Sequence, residues 1–369
     1  MRRKNLFRKI AAIVVSAAMA VSVAACGGSS GSSTSSSTSS GDNTLDIITW
    51  SSIFTDEECQ AIKKATGITV NVTPFNSLEE LYTKMNSGGV KYDMCVTGDY
   101  MAGTLIKDGM LKKLDKDKLK EAFDDVDDSF KNPYYDKNLD YCYPLGGGTV
   151  GIMVNRDKVK NDIKSWKDLF DTSLKGKIVM LDDQRIILGI GNVLNGNDFN
   201  ATDPDQINAA EQTMEKIIPN VKLFESFDQY DAMSNGEADI MVGWSHEAYK
   251  LTTLNKGNYE YIYPEEGMHI YVDNYCLTSN TKKDDLCYKL INYMHTTDYT
   301  KVLWSDLPEA RLAYKSFKDS LDLDDLGEKI IFPPQEQYDK GLYLHVLDNT
   351  AMKAYDDAWT TFKQKASIE

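Results

Sequence analysis

The opening of the folded body alternates strand, helix, strand, helix, strand, and this order limits the chain to a narrow set of architectures. Leu45-Asp46-Ile47-Ile48-Thr49-Trp50 is a strand-like run, and residues 56–66 carry a helical pattern that stops at Gly67. Ile68-Thr69-Val70-Asn71-Val72 predicts a second strand, residues 78–87 a second helix, and Tyr92-Asp93-Met94-Cys95-Val96 a third strand. Strands joined by helical crossovers at this spacing signal parallel βαβ units and an α/β fold. Shorter surface helices are expected at 107–114 and 116–123. Tyr143-Pro144-Leu145-Gly146-Gly147-Gly148 then leads into a strand at 150–154, and its three glycines suit a hinge. No Gly-Lys-Ser/Thr follows them, which excludes a phosphate-binding loop. Further strands are expected at 177–181, 221–224, 238–242 and 259–263, with helices at 185–194 and 205–217. Pro264-Glu265-Glu266-Gly267 precedes a strand at 270–277, after which helices are expected at 282–295, 297–304 and 335–365. Crossovers near 146–149 and 267–274 predict two lobes that share interleaved segments, with a cleft between them at the carboxyl ends of the strands.

The N-terminus predicts where that body works. Arg2, Arg3, Lys4, Arg8 and Lys9 precede an apolar stretch at 10–25 that is too short for a comfortable membrane span and reads as a secretory signal. It ends in Val23-Ala24-Ala25-Cys26, which resembles a bacterial lipobox, so Cys26 is the expected site of lipid attachment. Residues 27–41 contain only Gly, Ser and Thr, a composition that forms a flexible tether. Residues 1–25 are thus a signal sequence, and 26–43 a lipidated cysteine with its linker. The expected location is extracytoplasmic, at the outer face of a Gram-positive cell membrane or in a periplasm.

Removal of residues 1–25 takes five positive charges and no negative ones from the formal charge of −15, leaving −20. Nucleic acid and anionic lipid surfaces are poor partners for such a body, and cationic ligands are favoured. The remaining cysteines, Cys59, Cys95, Cys142, Cys276 and Cys287, are odd in number and show no paired spacing. They specify no disulfide framework and read as small buried residues.

Catalytic patterns are missing from the sequence. The four histidines, His246, His269, His295 and His345, are scattered, and no cysteine pair has zinc spacing. Gly189-Ile190-Gly191-Asn192-Val193-Leu194 has Leu where a dinucleotide fingerprint requires its third Gly. Asp322-Leu323-Asp324-Asp325-Leu326-Gly327 fails as a calcium loop, because Leu326 sits at a ligand position and Pro333 replaces the closing Glu. No Gly-x-Ser-x-Gly elbow occurs. The expectation is a binding protein with no catalytic residues, metal or cofactor.

Aromatic and carboxylate residues collect instead at predicted strand ends. Trp50 closes the first strand, Asp99 and Tyr100 follow the third, and Asp182 and Asp183 follow the strand at 177–181. Trp244 follows 238–242, and Tyr271 and Asp273 lie beside the second crossover. Rings attract ammonium groups and pack on methylenes, while carboxylates accept charge-assisted hydrogen bonds, so such a cleft suits an organic amine cation.

Together with these positions, several stretches resemble the spermidine/putrescine-binding proteins of polyamine ABC importers. They include Thr66-Gly67-Ile68-Thr69-Val70, Lys107-Asp108-Gly109-Met110-Leu111, Ser165-Trp166-Lys167-Asp168-Leu169-Phe170, Leu181-Asp182-Asp183-Gln184-Arg185 and Pro264-Glu265-Glu266-Gly267. The resemblance spans nearly all of the chain from about Thr44. It implies a two-lobed periplasmic-binding-protein fold with crossovers near Gly148 and Asp273 and a C-terminal helical segment on the second lobe. Lobe 1 is then 44–148 plus 274–318, and lobe 2 is 149–273 plus 319–369. It further implies a monomer serving a membrane permease and its ATPase. Asp183 and Asp273 match carboxylates that bind amines, and Trp50, Tyr100, Trp244 and Tyr271 match aromatic walls, with Tyr271 replacing a Trp. The sequence departs from the family at Ser52, where an acidic residue is usual, and at Ile186, Gly147 and Leu344. The family's Tyr-Pro-Thr-Pro stretch has no clear counterpart near Leu307-Pro308. Asp99, with Glu225 or Glu247, is the candidate to restore the lost charge, and the expected ligand site comprises Trp50, Ser52, Asp99, Tyr100, Asp183, Trp244, Tyr271 and Asp273. A thiamine-like cation, a metal complex or another small polar solute stands as the alternative ligand, and an enzyme or sensor on the same fold as the alternative role.

Overall fold

The computed structural model describes residues 43–226, 228–255, 257–306 and 311–367. The signal sequence, Cys26, nearly all of the linker and Leu307-Pro308 lie outside the described residues.

The strands and helices at the start of the body form as the alternation predicts. Strand β1 (Thr44–Trp50) is followed by helix α1 (Asp56–Thr66), β2 (Thr69–Phe75), α2 (Leu78–Asn86), β3 (Met94–Gly98) and α3 (Asp99–Lys107). β1 pairs in parallel with both β2 and β3. The Thr55 hydroxyl accepts from the Glu58 N–H to start α1, and Gly67, with φ of 74°, ends it in the left-handed conformation that glycine tolerates. The third helix departs from expectation. It begins directly at Asp99, and residues 108–114 are not helical, because Leu111 leaves to bridge Thr278 in an antiparallel pair.

Strand β4 (Cys142–Asn155) runs unbroken through the Pro/Gly stretch. Strands β5 (Ile178–Met180), β6 (Val221–Phe224), β7 (Ile240–Trp244), β8 (Tyr259–Ile262), β9 (His269–Leu277) and β10 (Arg311–Leu312) complete the sheet. Its order is β2-β1-β3-β9-β4-β7-β5-β6, with β8 and β10 also paired to β4. β4 and β9 pair antiparallel from Cys142 opposite Cys276 to Val150 opposite His269. One ladder therefore joins both halves of the molecule through this central pair.

The two largest of five apolar clusters among the described residues lie toward opposite ends of that pair. One collects Leu45, Ile47, Met94 and Val96 with Tyr143, Leu145, Tyr275 and Leu277, and with Leu290, Ile291 and Met294 of the helix Asp284–Met294. The other collects Ile152, Val154, Ile178, Met180, Ile240 and Val242 with Ile186, Ile190 and Phe362. β4 and β9 thus pass between the cores.

The C-terminal region corrects one expectation. The helix expected at 335–365 is two helices, Gln335–Asp339 and Asn349–Ala366, separated by extended chain. That chain is drawn into strand-like pairing, with Leu342 N–H donating to the Met268 carbonyl and Ile270 N–H donating to the Leu342 carbonyl. The second helix restarts where the Asp348 side chain accepts from the Ala351 N–H, and it places Tyr355 and Ala358 against Leu188 and Ile207. The acidic run at 322–327 starts a helix, Asp325–Ile331, whose first turn is capped when the Gly327 N–H donates to Asp324 Oδ1. Among the described residues no group of three or more His, Cys, Asp or Glu is arranged to hold a metal ion.

Candidate ligand-binding site

Three carboxylates lie where the two halves meet, each positioned by the end of an element. Asp273 sits on β9 beside the crossover, opposite Gly98 on β3 and Gly146 on β4. The Trp50 indole N–H, at the carboxyl end of β1, donates to Asp273 Oδ1 at 2.9 Å, joining residues 223 positions apart. Trp50 in turn packs on Phe75, with ring centroids 4.5 Å apart. Asp99 opens α3, and its Oδ1 accepts from the Tyr100 N–H at 2.7 Å, a placement that the positive end of the helix favours. Its Oδ2 is buried with no hydrogen-bond partner. Asp183 caps the helix Gln184–Leu194, with its Oδ1 accepting from the Ile186 N–H at 2.9 Å.

Burial dominates the electrostatics of all three. It raises the Asp99 carboxyl well above the ordinary range, and the neighbouring Asp273 adds to that rise. Burial lifts Asp273 to about 6 despite the Trp50 hydrogen bond, and it raises Asp183 against the pull of backbone hydrogen bonds and Arg185. No ion pair reaches Asp99, Asp183 or Asp273 among the described residues. The site is a desolvated cluster of carboxyl groups, each held toward its protonated form.

Aromatic rings close around it. Tyr271, two residues from Asp273 and on the same face of β9, meets Trp244 edge-on at 5.3 Å between centroids. Trp244, at the end of β7, is fixed by its indole N–H donating to the Ser226 carbonyl at 3.0 Å. Gly148 makes Tyr271 possible, since a Cβ there would lie 2.5 Å from the tyrosine oxygen. Tyr100 packs against both halves and donates its hydroxyl to Glu79 Oε1 at 2.9 Å. It also lies within electrostatic reach of Asp183 and Arg185.

The expected residues are not all gathered equally. Trp50 touches Asp273, and Trp244 touches Tyr271. Asp99 feels Asp273, and Asp183 acts on Tyr100, through the field between them. Ser52 instead stands exposed in the turn after β1. Glu247 is occupied elsewhere, buried and accepting from the Tyr230 N–H at 3.0 Å. Glu225 accepts from the Ser226 N–H at 2.8 Å. Leu344 belongs to the second apolar core.

The structure adds residues that the sequence did not single out. His246 stacks parallel to Trp244, and burial lowers its imidazole to about 4, leaving it uncharged at neutral pH. His269 is likewise held at about 4 by burial, with Nδ1 against the Leu342 carbonyl at 2.8 Å. Arg185 stays buried by donating to Asn200 Oδ1 and the His345 carbonyl, which ties the C-terminal segment to the site. Tyr134 and Tyr343 lie in the field of Asp99. The position of His246, two residues past a strand-end tryptophan, was the one available signal. Glu79 carried none, because acidic residues are ordinary in a first helical turn.

Residues 58–316 match the family model for bacterial extracellular solute-binding proteins. The chain belongs to that family. It is 28% identical over 355 residues to spermidine/putrescine-binding periplasmic protein 1 of Haemophilus influenzae, covering 90% of this chain and 98% of the relative. Among solved structures it is similar to a spermidine/putrescine ABC transporter substrate-binding protein from Streptococcus pneumoniae, with a TM-score of 0.75 and 26% identity over 88% of this chain and 99% of that one. A putative spermidine/putrescine ABC transporter from Listeria monocytogenes gives 0.77 and 25% over 87% and 99%. The fold is therefore that of a two-lobed binding protein, and this solute-binding protein holds its ligand rather than transforming it.

Proposed function

We propose that this solute-binding protein captures a polyamine of the spermidine or putrescine type between its lobes and delivers it to an ABC permease and its ATPase. The carrying observation is the set of carboxylates at Asp99, which is buried, and at Asp183 and Asp273, which are half-buried, none within an ion pair among the described residues, beside the rings of Trp50, Tyr100, Trp244 and Tyr271. A buried carboxylate is costly until a cation accompanies it. An amine at Asp273 offsets that cost, and the methylenes between amines lie against the rings. Asp99 adds a carboxyl where Ser52, exposed in its turn, adds none, and a bound amine draws that carboxyl toward its charged form.

In this reading lobe 1 comprises 44–148 and 274–318, lobe 2 comprises 149–273 and 319–369, and the lobes close by motion of β4 and β9. A ligand held by both lobes favours the closed form by its differential affinity. Cys26 carries the lipid that keeps the monomeric protein at the membrane, and the Gly/Ser/Thr segment lets it reach the permease.

Calorimetry with spermidine, putrescine, thiamine and a carboxylate control tests the assignment. A polyamine is expected to bind most tightly, and Asp273→Asn to weaken it by about 10- to 100-fold through loss of a charge-assisted hydrogen bond. Failure of both polyamines to bind, or undiminished binding by Asp273→Asn, overturns the assignment.

A further inference from the structure

Cysteines on three neighbouring strands stand in register. Cys95 on β3 lies opposite Cys276 on β9, and Cys276 lies opposite Cys142 on β4. Facing residues project from the same side of a sheet, so the three thiols form a row, and all three are fully buried. Their surroundings are largely apolar, including Ile48, Phe75, Leu105 and Leu111, and the one carboxylate beside them, Asp136, accepts from the Cys142 N–H at 3.0 Å and adds to burial in raising the Cys142 thiol. The Cys276 thiol meets Cys142 Sγ at 3.6 Å. Facing positions in an antiparallel pair put their Cα atoms about 4.5–5.5 Å apart, inside the range that a disulfide spans. Bonding needs the sulfurs to approach by only roughly 1.5 Å, within reach of side-chain torsion.

We propose that Cys142 and Cys276 are a disulfide site, oxidised as the chain folds outside the cytoplasm. The family is extracellular, and such compartments sustain disulfides. The oxidant is a disulfide donor, either a small-molecule disulfide or a thiol–disulfide exchange protein. The Cys276 thiolate attacks the donor's sulfur–sulfur bond, forming a mixed disulfide and releasing one donor thiolate. The Cys142 thiolate then attacks the Cys276 sulfur and releases the second. Two electrons pass from the protein cysteines to the donor, and the two thiol protons end on the donor's two thiols.

Burial raises both thiols above their ordinary values, so thiolate is scarce once the sheet has formed and exchange belongs to an earlier stage of folding. Cys95, on the other flank of Cys276, is the thiol that stays reduced. The bond joins residues 134 positions apart, across the roots of both central strands, and a loop of that size constrains the unfolded chain strongly.

The test refolds the reduced full-length chain in a buffer containing oxidised glutathione, alkylates it under denaturing conditions, and maps its peptides by mass spectrometry. The expected product links Cys142 to Cys276, leaves Cys59, Cys95, Cys287 and a Cys26 that carries no lipid alkylated, and melts several degrees above the protein kept reduced. Cys95→Ser is expected to keep the linkage. Full alkylation of Cys142 and Cys276, or a bond from Cys276 to Cys95, overturns the proposal, and both outcomes are read on the wild-type chain whether or not a variant folds.

Discussion

Asp273 carries the strongest consequences at the scale of single residues. Its carboxyl titrates near 6, whereas an unfolded aspartate titrates near 4. Binding of an amine needs the carboxylate, so affinity should fall as pH drops through 6, by about tenfold per unit once protonation is complete. His246 and His269 stay neutral until about 4 and do not contribute in that window. Calorimetry between pH 5 and 7.5 reads this slope, and Asp273→Asn should reduce it, with the raised carboxyls of Asp99 and Asp183 supplying what remains. The raised value also means that folding favours the protonated form. Its unfavourable contribution is absent below about pH 4 and grows as pH rises through 6. Asp273→Asn should therefore stabilise the unliganded protein at pH 7.5 by on the order of 1 kcal/mol and leave it unchanged near pH 4. Thermal melts at the two pH values check the sign. Aspartates and tryptophans at strand ends were legible in the sequence because an α/β fold presents those ends at its cleft. The hydrogen bond between Trp50 and Asp273 was not, since pattern alone does not align residues 223 apart.

Among the elements, β4 does the most to shape the site. Its glycines let neighbouring groups approach, and Gly148 lies under the Tyr271 ring with a prospective Cβ contact of 2.8 Å to the ring carbon and 2.9 Å to Ser245 Oγ. Gly148→Val should push Tyr271 off its position, weaken ligand binding at least tenfold and cost about 1–3 kcal/mol of stability by overpacking. Calorimetry and denaturant unfolding read the two effects. Strands and helices with local signals, such as α1 with its Thr55 cap and Gly67 stop, were predictable almost to the residue. The break at 340–348 was hidden, because pairing of Leu342 with Met268 and Ile270 overrides helical preference. Helix α3 was hidden for a related reason: Asp99 reads as a loop residue until its own turn is built.

For the whole molecule, two lobes and a cleft followed from the length of the body and the two crossovers. A single ladder through both lobes did not, because it depends on the register between β4 and β9. The mature chain's expected charge of −20 places the cleft in a negative field. Raising salt from 50 to 500 mM should weaken polyamine binding several-fold through screening. Intrinsic tryptophan fluorescence, to which Trp50 and Trp244 contribute among five tryptophans, measures that loss during titration at each salt concentration.

The first core closes only when residues from both ends of the body meet, with Leu45 to Leu145 on one side and Tyr275 to Phe317 on the other. A polypeptide that emerges amino end first therefore cannot complete that core until its last third has followed. Between those events β3 has a neighbour on one side only, since its other partner, β9, has yet to arrive. The order of segments therefore ties completion of that core to delivery of most of the chain.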